Sequence, residues 1–129
     1  MAEAPKVVED LHRTLRWMIP ELDRWPRNRR FTLGERIEAG LLDVLALTTE
    51  AAYTRADLAL LRQANTRLAV VRHLWRLAHE LEVVGRRRYG HGAGMLVDAG
   101  RQIGAWSRAR AGSVPVTGGT GAEANADRA

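Results

Sequence analysis

Residues 61–78, LRQANTRLAVVRHLWRLA, carry the clearest structural pattern in the chain. Apolar or small residues recur there at alternating spacings of three and four, which aligns them along one side of an α-helix. They are Leu61, Ala64, Leu68, Val71, Trp75 and Ala78. The same alternation is typical of helices that pack along a heptad seam. We therefore predict a helix over about residues 57–85, with this seam in the protein core.

A second apolar row lies beside the seam and consists of Leu74, Leu77, Leu81 and Val84. Two adjacent rows make a face wider than the apolar stripe of an ordinary surface helix. We expect this helix to have a second contact, which is either two helices of its own bundle or another subunit.

An amphipathic helix is predicted near the N-terminus, over about residues 6–24. Its apolar stripe is formed by Val7, Leu11, Leu15, Met18 and Leu22. Pro20 should kink or weaken the last turn, because proline removes a backbone hydrogen bond. Trp25-Pro26 should end the helix, since a residue before proline disfavours the helical conformation.

The next helix has the start signal of a capping box. Glu35 follows Thr32 by three residues, so the Thr32 hydroxyl is expected to accept a hydrogen bond from the Glu35 amide while Glu35 reaches back. Phe31 is placed for a hydrophobic staple with the first turn. We predict a helix from here to about Thr54, with an apolar face of Leu33, Ile37, Leu41, Val44, Thr48 and Ala51.

The glycine-rich residues 89–94 predict a break before a last helix over about residues 94–110. Met95, Ala99, Ile103 and Trp106 line one face of this helix. Gly100 and Gly104, four apart, leave one side bare, so that another backbone can approach closely. No alternating run bounded by turns predicts a strand. The predicted fold is an all-α, antiparallel, up-down four-helix bundle over residues 1–111.

Residues 112–129 differ in composition from the bundle. They are rich in glycine and contain no aromatic residue. Such a segment buries too little apolar surface to offset the entropy of ordering. We predict a disordered C-terminal tail.

Composition excludes several classes of protein. The 129 residues include no cysteine, so a disulfide framework, a thiolate metal site and a cysteine nucleophile are excluded. No run of apolar residues is long enough for a transmembrane helix, and the N-terminus lacks the apolar segment of a secretory signal. The expected compartment is the cytoplasm.

Motifs of catalysis are missing. The chain has no phosphate-binding loop, no dinucleotide fingerprint and no zinc-protease motif. A di-iron bundle needs two Glu-x-x-His pairs, but the chain offers one, Glu9 and His12, off the apolar stripe. His73 and His79 lie six apart and do not share a face well. We predict neither enzyme activity nor a metal or other cofactor.

Arginine is the residue type that best indicates a function. Basic residues number 20 against 15 acidic ones, and all but Lys6 are arginine. Arg72 and Arg76, four apart, are neighbours on a helix. A helix C-terminus favours cations, which would partly explain Arg86–Arg88 at the end of the third helix. The alternatives are a solvated face, reflecting genomic base composition, or a face that binds phosphate or acidic protein. The candidate binding residues are Arg62, Arg72, Arg76, Arg86, Arg87, Arg88, Arg29 and Arg30.

Four motifs in order resemble a known family. They are WPRNRRFTLGERI at residues 25–37, LAVVRHLWRLA at residues 68–78, and Tyr89 followed by GRQIGAW at residues 100–106. This pattern resembles the small four-helix-bundle proteins that include the accessory variability determinant (Avd) of diversity-generating retroelements and the ribosomal-RNA intervening-sequence proteins. The likeness covers about residues 7–108. Trp25 stands where the family often has phenylalanine, and Ala105 where it often has glycine.

The resemblance implies a homopentamer of four-helix bundles that forms a basic barrel without catalytic activity. Avd-type members bind the retroelement's reverse transcriptase and its template RNA, and thereby support error-prone cDNA synthesis. The resemblance predicts reverse transcriptase and RNA as partners, with DNA as an additional candidate and no membrane. The alternative that it leaves open is an intervening-sequence-type bundle, structural or RNA-associated, with no reverse transcriptase partner. A small enzyme or metal protein is the third hypothesis.

Overall fold

A computed structural model describes residues 5–113 of the chain. The described part contains four long helices and no strand: α1 (Lys6–Asp23), α2 (Glu35–Ala52), α3 (Leu58–Glu80) and α4 (Arg86–Ser113). A short helical turn (Arg27–Arg29) and a π-helical turn (Arg30–Gly34) lead directly into α2. The predicted all-helical architecture is confirmed.

The four helices close into a bundle. The third helix packs between α2 and α4, while α1 contacts both α2 and α4 from the other side. Gln102, late in α4, donates a hydrogen bond of 2.8 Å to Asp10, early in α1. Arg88, early in α4, donates one of 2.6 Å to Glu21, late in α1. These two contacts show that α1 and α4 run antiparallel.

The predicted apolar stripes form the core. All six residues of the α3 seam are buried, as are the five stripe residues of α1. On α2 the prediction holds from Ile37 to Ala51, but Leu33 is only half-buried in the π-helical turn. On α4, Ala99 and Ile103 are buried as predicted, whereas Trp106 is half-buried and Leu96 takes the buried position expected for Met95.

The predicted capping box at Thr32 is wrong. The helical backbone already begins at Arg27, so the Glu35 amide does not need a capping side chain. The Glu35 N–H donates to the Arg30 carbonyl across the π-helical turn. The Thr32 hydroxyl instead donates to the carbonyl of Asn28 at 2.7 Å. The staple is absent as well, since Phe31 is 62% exposed. Pro26, with a non-helical ψ of 148°, directly precedes the helical turn and marks where it starts.

The break between α3 and α4 lies earlier than predicted. A Schellman motif ends α3: the N–H of Val83 donates to the Ala78 carbonyl at 2.9 Å, and that of Glu82 to His79 at 3.0 Å. Glu82 adopts a left-handed conformation with φ of 62°, which glycine usually occupies. Residues 89–94, predicted as the break, are helical in α4.

Glycine allows close helix packing at two positions that the sequence did not single out. A Cβ atom on Gly92 would stand 2.7 Å from the Trp75 ring, and one on Gly40 would stand 2.5 Å from a methyl group of Val71. Within the described residues, no other helix backbone uses the bare side predicted at Gly100 and Gly104. Gly100 leaves an ordinary 3.5 Å to Leu68, and the nearest group to Gly104 is Arg108 of the same helix.

The second apolar row of α3 is only partly covered. Val84 is buried in the connection, but Leu77 and Leu81 are 39% and 43% exposed. Val70, one helical turn before the half-buried Leu74, is 51% exposed and extends the row. Helix α4 continues through Ser113, two residues past the predicted end of the bundle. The rest of the predicted tail lies outside the described residues.

Candidate nucleic-acid interface

An aromatic cluster occupies the end of the bundle where α3 ends and α4 begins. Trp75 lies at its centre, with ring centroids 6.1 Å from Trp17, 6.0 Å from Trp25 and 6.2 Å from Tyr89. Its indole N–H donates a hydrogen bond of 2.9 Å to the Tyr89 carbonyl. The rings of His79 and His91 contact Tyr89 and Trp17 from outside. Because Trp75 is held on all these sides, the cluster fixes the relative position of α1, α3 and α4.

A cavity of about 240 Å³ lies between α3 and α4 beside this cluster; we call it the α3/α4 pocket. It is lined by Ala69, Arg72, His73, Trp75, Arg76, Tyr89, Ala93, Leu96 and Val97. Its walls are therefore aliphatic and aromatic, and its charged lining residues are two arginines of α3. No carboxylate is among the residues that line it.

A second depression lies between α1 and the start of α4, on the side of the cluster where Trp17 lies; we call it the α1/α4 groove. It is lined by Trp17, Gly85, Arg86, Arg87, Arg88 and His91. Three arginines and two aromatic rings thus border one groove, a combination that suits phosphates and bases.

The arginine triplet lies at a helix N-terminus and not at the C-terminus where it was predicted. Arg86, Arg87 and Arg88 form the first turn of α4, not the last turn of α3. The backbone amides at a helix N-terminus carry partial positive charge, so cations there are disfavoured. The predicted stabilisation of the triplet by the helix dipole is therefore wrong.

The candidate arginines differ in how far they are neutralised. Arg72, Arg86 and Arg87 are exposed and form no ion pair with any residue in the range 5–113. Arg76 contacts Glu80 at 3.2 Å, with both side chains exposed. Arg88 contacts the buried carboxylate of Glu21 at 2.6 Å. Its guanidinium is therefore the charge that compensates Glu21, and it also ties α4 to α1.

Arg30 has a structural role. Its guanidinium contacts Asp23 at 3.1 Å and Glu38 at 2.6 Å, and its side chain is only 19% exposed. Burial desolvates this guanidinium, but the hydrogen bonds to Glu38 and Asp23 outweigh that effect and raise its pKa. The neighbouring Arg29 is half-buried. These two arginines of the first connection do not line the pocket or the groove.

Arg62 is exposed on α3 but does not line the α3/α4 pocket. It precedes Arg72 by ten residues, about 15 Å along a helix. Trp17 and His91 line the α1/α4 groove, although the sequence did not single them out. Trp17 lies beside the α1 stripe, between Leu15 and Met18, and that position was the available signal.

The described residues were also searched for a metal site and for a membrane-spanning helix. Residues 5–113 contain no group of three or more histidine, aspartate or glutamate side chains placed to hold a metal ion. Among the same residues, no helix is both long and apolar enough to cross a membrane.

Comparison with known proteins identifies the family. A family model described as bAvd-like matches residues 7–110, a range that spans α1 to the last turn of α4 and includes the pocket and the groove. No curated protein and no solved structure matches the chain. The bAvd-like family is not a known enzyme family. The chain therefore belongs to the bAvd-like family, and the resemblance to Avd-like four-helix bundles carried by residues 25–37, 68–78 and 100–106 is confirmed.

Proposed function

We propose that this protein is a non-catalytic, basic accessory protein of a diversity-generating retroelement. It binds the reverse transcriptase and the template RNA or its DNA product in the cytoplasm, and so supports mutagenic cDNA synthesis. Family membership supports the general role. The observation that carries the binding function is the position of Arg72, Arg86 and Arg87, exposed and without ion pairs in residues 5–113, around one aromatic end of the bundle.

Local folding gains little from these arginines. Cations in the first turn of α4 oppose the helix dipole, and Arg72 has the cation Arg76 as its neighbour one turn later. Exposed ion pairs such as Arg76–Glu80 contribute little to stability. A ligand that brings negative charge relieves the repulsion, and a nucleic-acid backbone supplies such charge at every nucleotide.

We also propose that the protein assembles as a homopentamer, as the family resemblance implies. The partly exposed row of α3, formed by Val70, Leu74, Leu77 and Leu81, supplies an apolar surface for the subunit contact. This row lies on the flank of α3 away from α4. Asn65, Leu68 and Arg72, by contrast, face Gly100 of α4. A contact through the row leaves the arginines of the α3/α4 pocket accessible.

Replacement of Arg72 and Arg76 together by glutamine tests the binding function. Glutamine keeps helix propensity and removes the charge. We expect the double variant to fold and assemble as before, and to bind RNA more than tenfold more weakly. Log affinity should fall with log salt less steeply than in the unmodified protein, by roughly 0.7 units per lost phosphate contact.

The matched control is the replacement of Arg101 and Arg108 by glutamine, two exposed arginines farther along α4. This variant removes the same charge and should retain most of the affinity. Equal losses in both variants would indicate a non-specific charge effect and contradict a defined interface. A protein that binds RNA but not its reverse transcriptase would instead favour the intervening-sequence type of function.

A further inference from the structure

We propose that the apolar row of α3 packs against the outer surface of α2 of a second copy of the chain. That surface is the outer row of α2, which consists of Glu35, Ala39, Leu42, Ala46, Thr49 and Tyr53. The proposal rests on the assembly proposed above. It adds which surface covers the row of α3 and how the copies are joined.

The outer row of α2 has the spacing of a helix-packing surface. Its residues follow one another at alternating spacings of four and three, as heptad positions do. All six are exposed, with Leu42 at 45% and Tyr53 at 63%. Ala39 and Ala46 are small, so a helix with larger side chains can approach closely there. Helix α2 therefore carries a second packing row besides the stripe that it buries in its own core.

The apolar row of α3 matches the outer row of α2 in spacing and differs from it in side-chain size. Its four residues follow one another at spacings of four, three and four, and three of them are exposed. Arg67, also exposed, continues the line about one helical turn before Val70. Large aliphatic side chains on one row and small ones on the other allow the two helices to interdigitate.

The two rows cannot meet within one bundle. A Cβ atom on Gly40 would stand 2.5 Å from a methyl group of Val71, so this side of α2 faces α3 of the same copy. Leu42 follows Gly40 by two residues and lies about 200° further around the helix, at ~100° per residue. The outer row of α2 is thus turned away from α3, and it can reach the apolar row of α3 only in another copy.

Charge favours the pairing of α2 with α3 over the pairing of like helices. The exposed charged residues of α2 are Glu35, Arg36, Asp43 and Glu50. Those of α3 are Arg62, Arg67, Arg72, Arg76 and Glu80. The three exposed carboxylates of α2 form no ion pair within residues 5–113. Two α2 rows or two α3 rows in contact would bring like charges together, whereas α2 against α3 brings acidic and basic surfaces together.

An unlike pair of rows joins copies head to tail. Each copy offers its outer row of α2 to one neighbour and its apolar row of α3 to the next. Head-to-tail contacts generate closed rings when the rotation between copies closes. Contact between two identical rows is isologous and stops at a dimer, which cannot by itself build the proposed homopentamer.

Two substitutions, one in each row, test the contact. Leu42→Glu places a carboxylate in the outer row of α2, and Leu77→Glu places one in the apolar row of α3. Both positions are exposed in the single bundle, so the fold should tolerate a charge that a buried contact between copies would not. Val97→Glu, at an exposed aliphatic position of α4 outside both rows, is the matched control. If circular dichroism shows lost helix, Ala46→Glu and Val70→Glu are the second variants of the two rows.

We expect Leu42→Glu and Leu77→Glu each to shift the mass from the oligomer toward the monomer, and Val97→Glu to leave it unchanged. An equimolar mixture of the two dissociated variants should form a dimer of about twice the monomer mass. The intact α3 row of the first variant still fits the intact α2 row of the second. The dimer should grow no further, because both remaining rows carry a glutamate.

Cross-linking gives a second readout that does not depend on dissociation. The chain contains no cysteine, so Ala46→Cys and Leu77→Cys each introduce a single thiol near the middle of one row. We expect a short bis-maleimide to join the two variants to each other when they are co-expressed. It should join neither variant to itself.

Each contrary result identifies a different error. Leu42→Glu that keeps the unmodified mass while Leu77→Glu dissociates, a mixture that forms no dimer, or Leu77→Cys that cross-links to itself overturns the pairing of α2 with α3 while the assembly stands. Leu42→Glu that keeps its mass but loses reverse transcriptase binding assigns the outer row of α2 to that enzyme. An unmodified protein that is a monomer or a dimer removes the proposed homopentamer together with this contact.

Discussion

Gly92 and Gly94 lie two residues apart in α4, yet their environments differ sharply. A Cβ atom on Gly92 would stand 2.7–2.9 Å from three atoms of the Trp75 indole, whereas one on Gly94 would meet nothing within 4 Å. Trp75 cannot move aside, because it is packed against Trp17, Trp25 and Tyr89. The absent side chain at Gly92 is therefore what allows α4 to pack over the aromatic cluster.

Alanine substitution at these two positions should change stability in opposite directions. Gly92→Ala should destabilise the protein by about 1–3 kcal/mol, the usual effect of an overpacked core. Gly94→Ala should stabilise it by about 0.5–1 kcal/mol, because alanine loses less backbone entropy in a helix. Urea unfolding of the two variants beside the unmodified protein measures both values. A stabilising Gly92→Ala would mean that α4 does not approach Trp75 this closely.

At the scale of helices, apolar spacing predicted which faces are buried but misplaced the ends. The seam from Leu61 to Ala78 lies in the core as expected. Its helix stops at Glu80 because the backbone turns left-handed at Glu82, a residue that carries no turn signal. Gly90, Gly92 and Gly94 suggested a break, but all three are helical in α4. Of these glycines, Gly92 packs against Trp75, a tertiary contact that overrides its weak helix propensity.

The candidate site was predictable in its chemistry and not in its geometry. Sequence alone identified Arg72 and Arg76 as candidates, and both line one pocket. It did not separate Arg72 from Arg30, because the paired state of Arg30 depends on Asp23 and Glu38 in other elements. Trp17 and His91 come together only across α1 and α4, and no spacing within either helix reveals that contact.

The start of α4 should show a conflict between stability and binding. Arg86 and Arg87 stand in its first turn, where cations oppose the helix dipole. The double replacement by glutamine should raise the free energy of unfolding, by roughly 0.3–1 kcal/mol per site at low salt, and at the same time weaken RNA binding. Denaturant unfolding and RNA titration on the same preparations test both effects. A destabilised double variant would show that the two arginines support the fold.

For the whole molecule, the two flanks of α3 have different chemistry. One flank carries Arg72 and Arg76 and adjoins α4. The other carries the apolar row and adjoins α2, where Val71 packs on Gly40. A single bundle covers the seam between these flanks but leaves Val70, Leu77 and Leu81 partly exposed. Helix α3 is thus suited to contact another subunit on one flank and an anionic ligand on the other.

This division predicts that assembly depends on the apolar row of α3 and not on Arg72 or Arg76. Size-exclusion chromatography with light scattering should give about five times the monomer mass of 14.3 kDa. Leu77→Glu places a charge in the apolar row and should shift the mass toward the monomer while helix content is retained. Ala105→Glu, at an exposed position of α4, is the control and should leave the mass unchanged.

Affinity then gives a second, independent readout. If subunits present their arginines together, dissociation by Leu77→Glu should weaken RNA binding and lower its salt dependence, because fewer phosphates are neutralised per complex. The arginine variants at positions 72 and 76 should lose binding without losing mass. A monomeric unmodified protein at micromolar concentration would contradict the assembly. An Arg72→Gln, Arg76→Gln protein that dissociates would instead place these two residues in the subunit contact, paired with carboxylates of the neighbouring subunit.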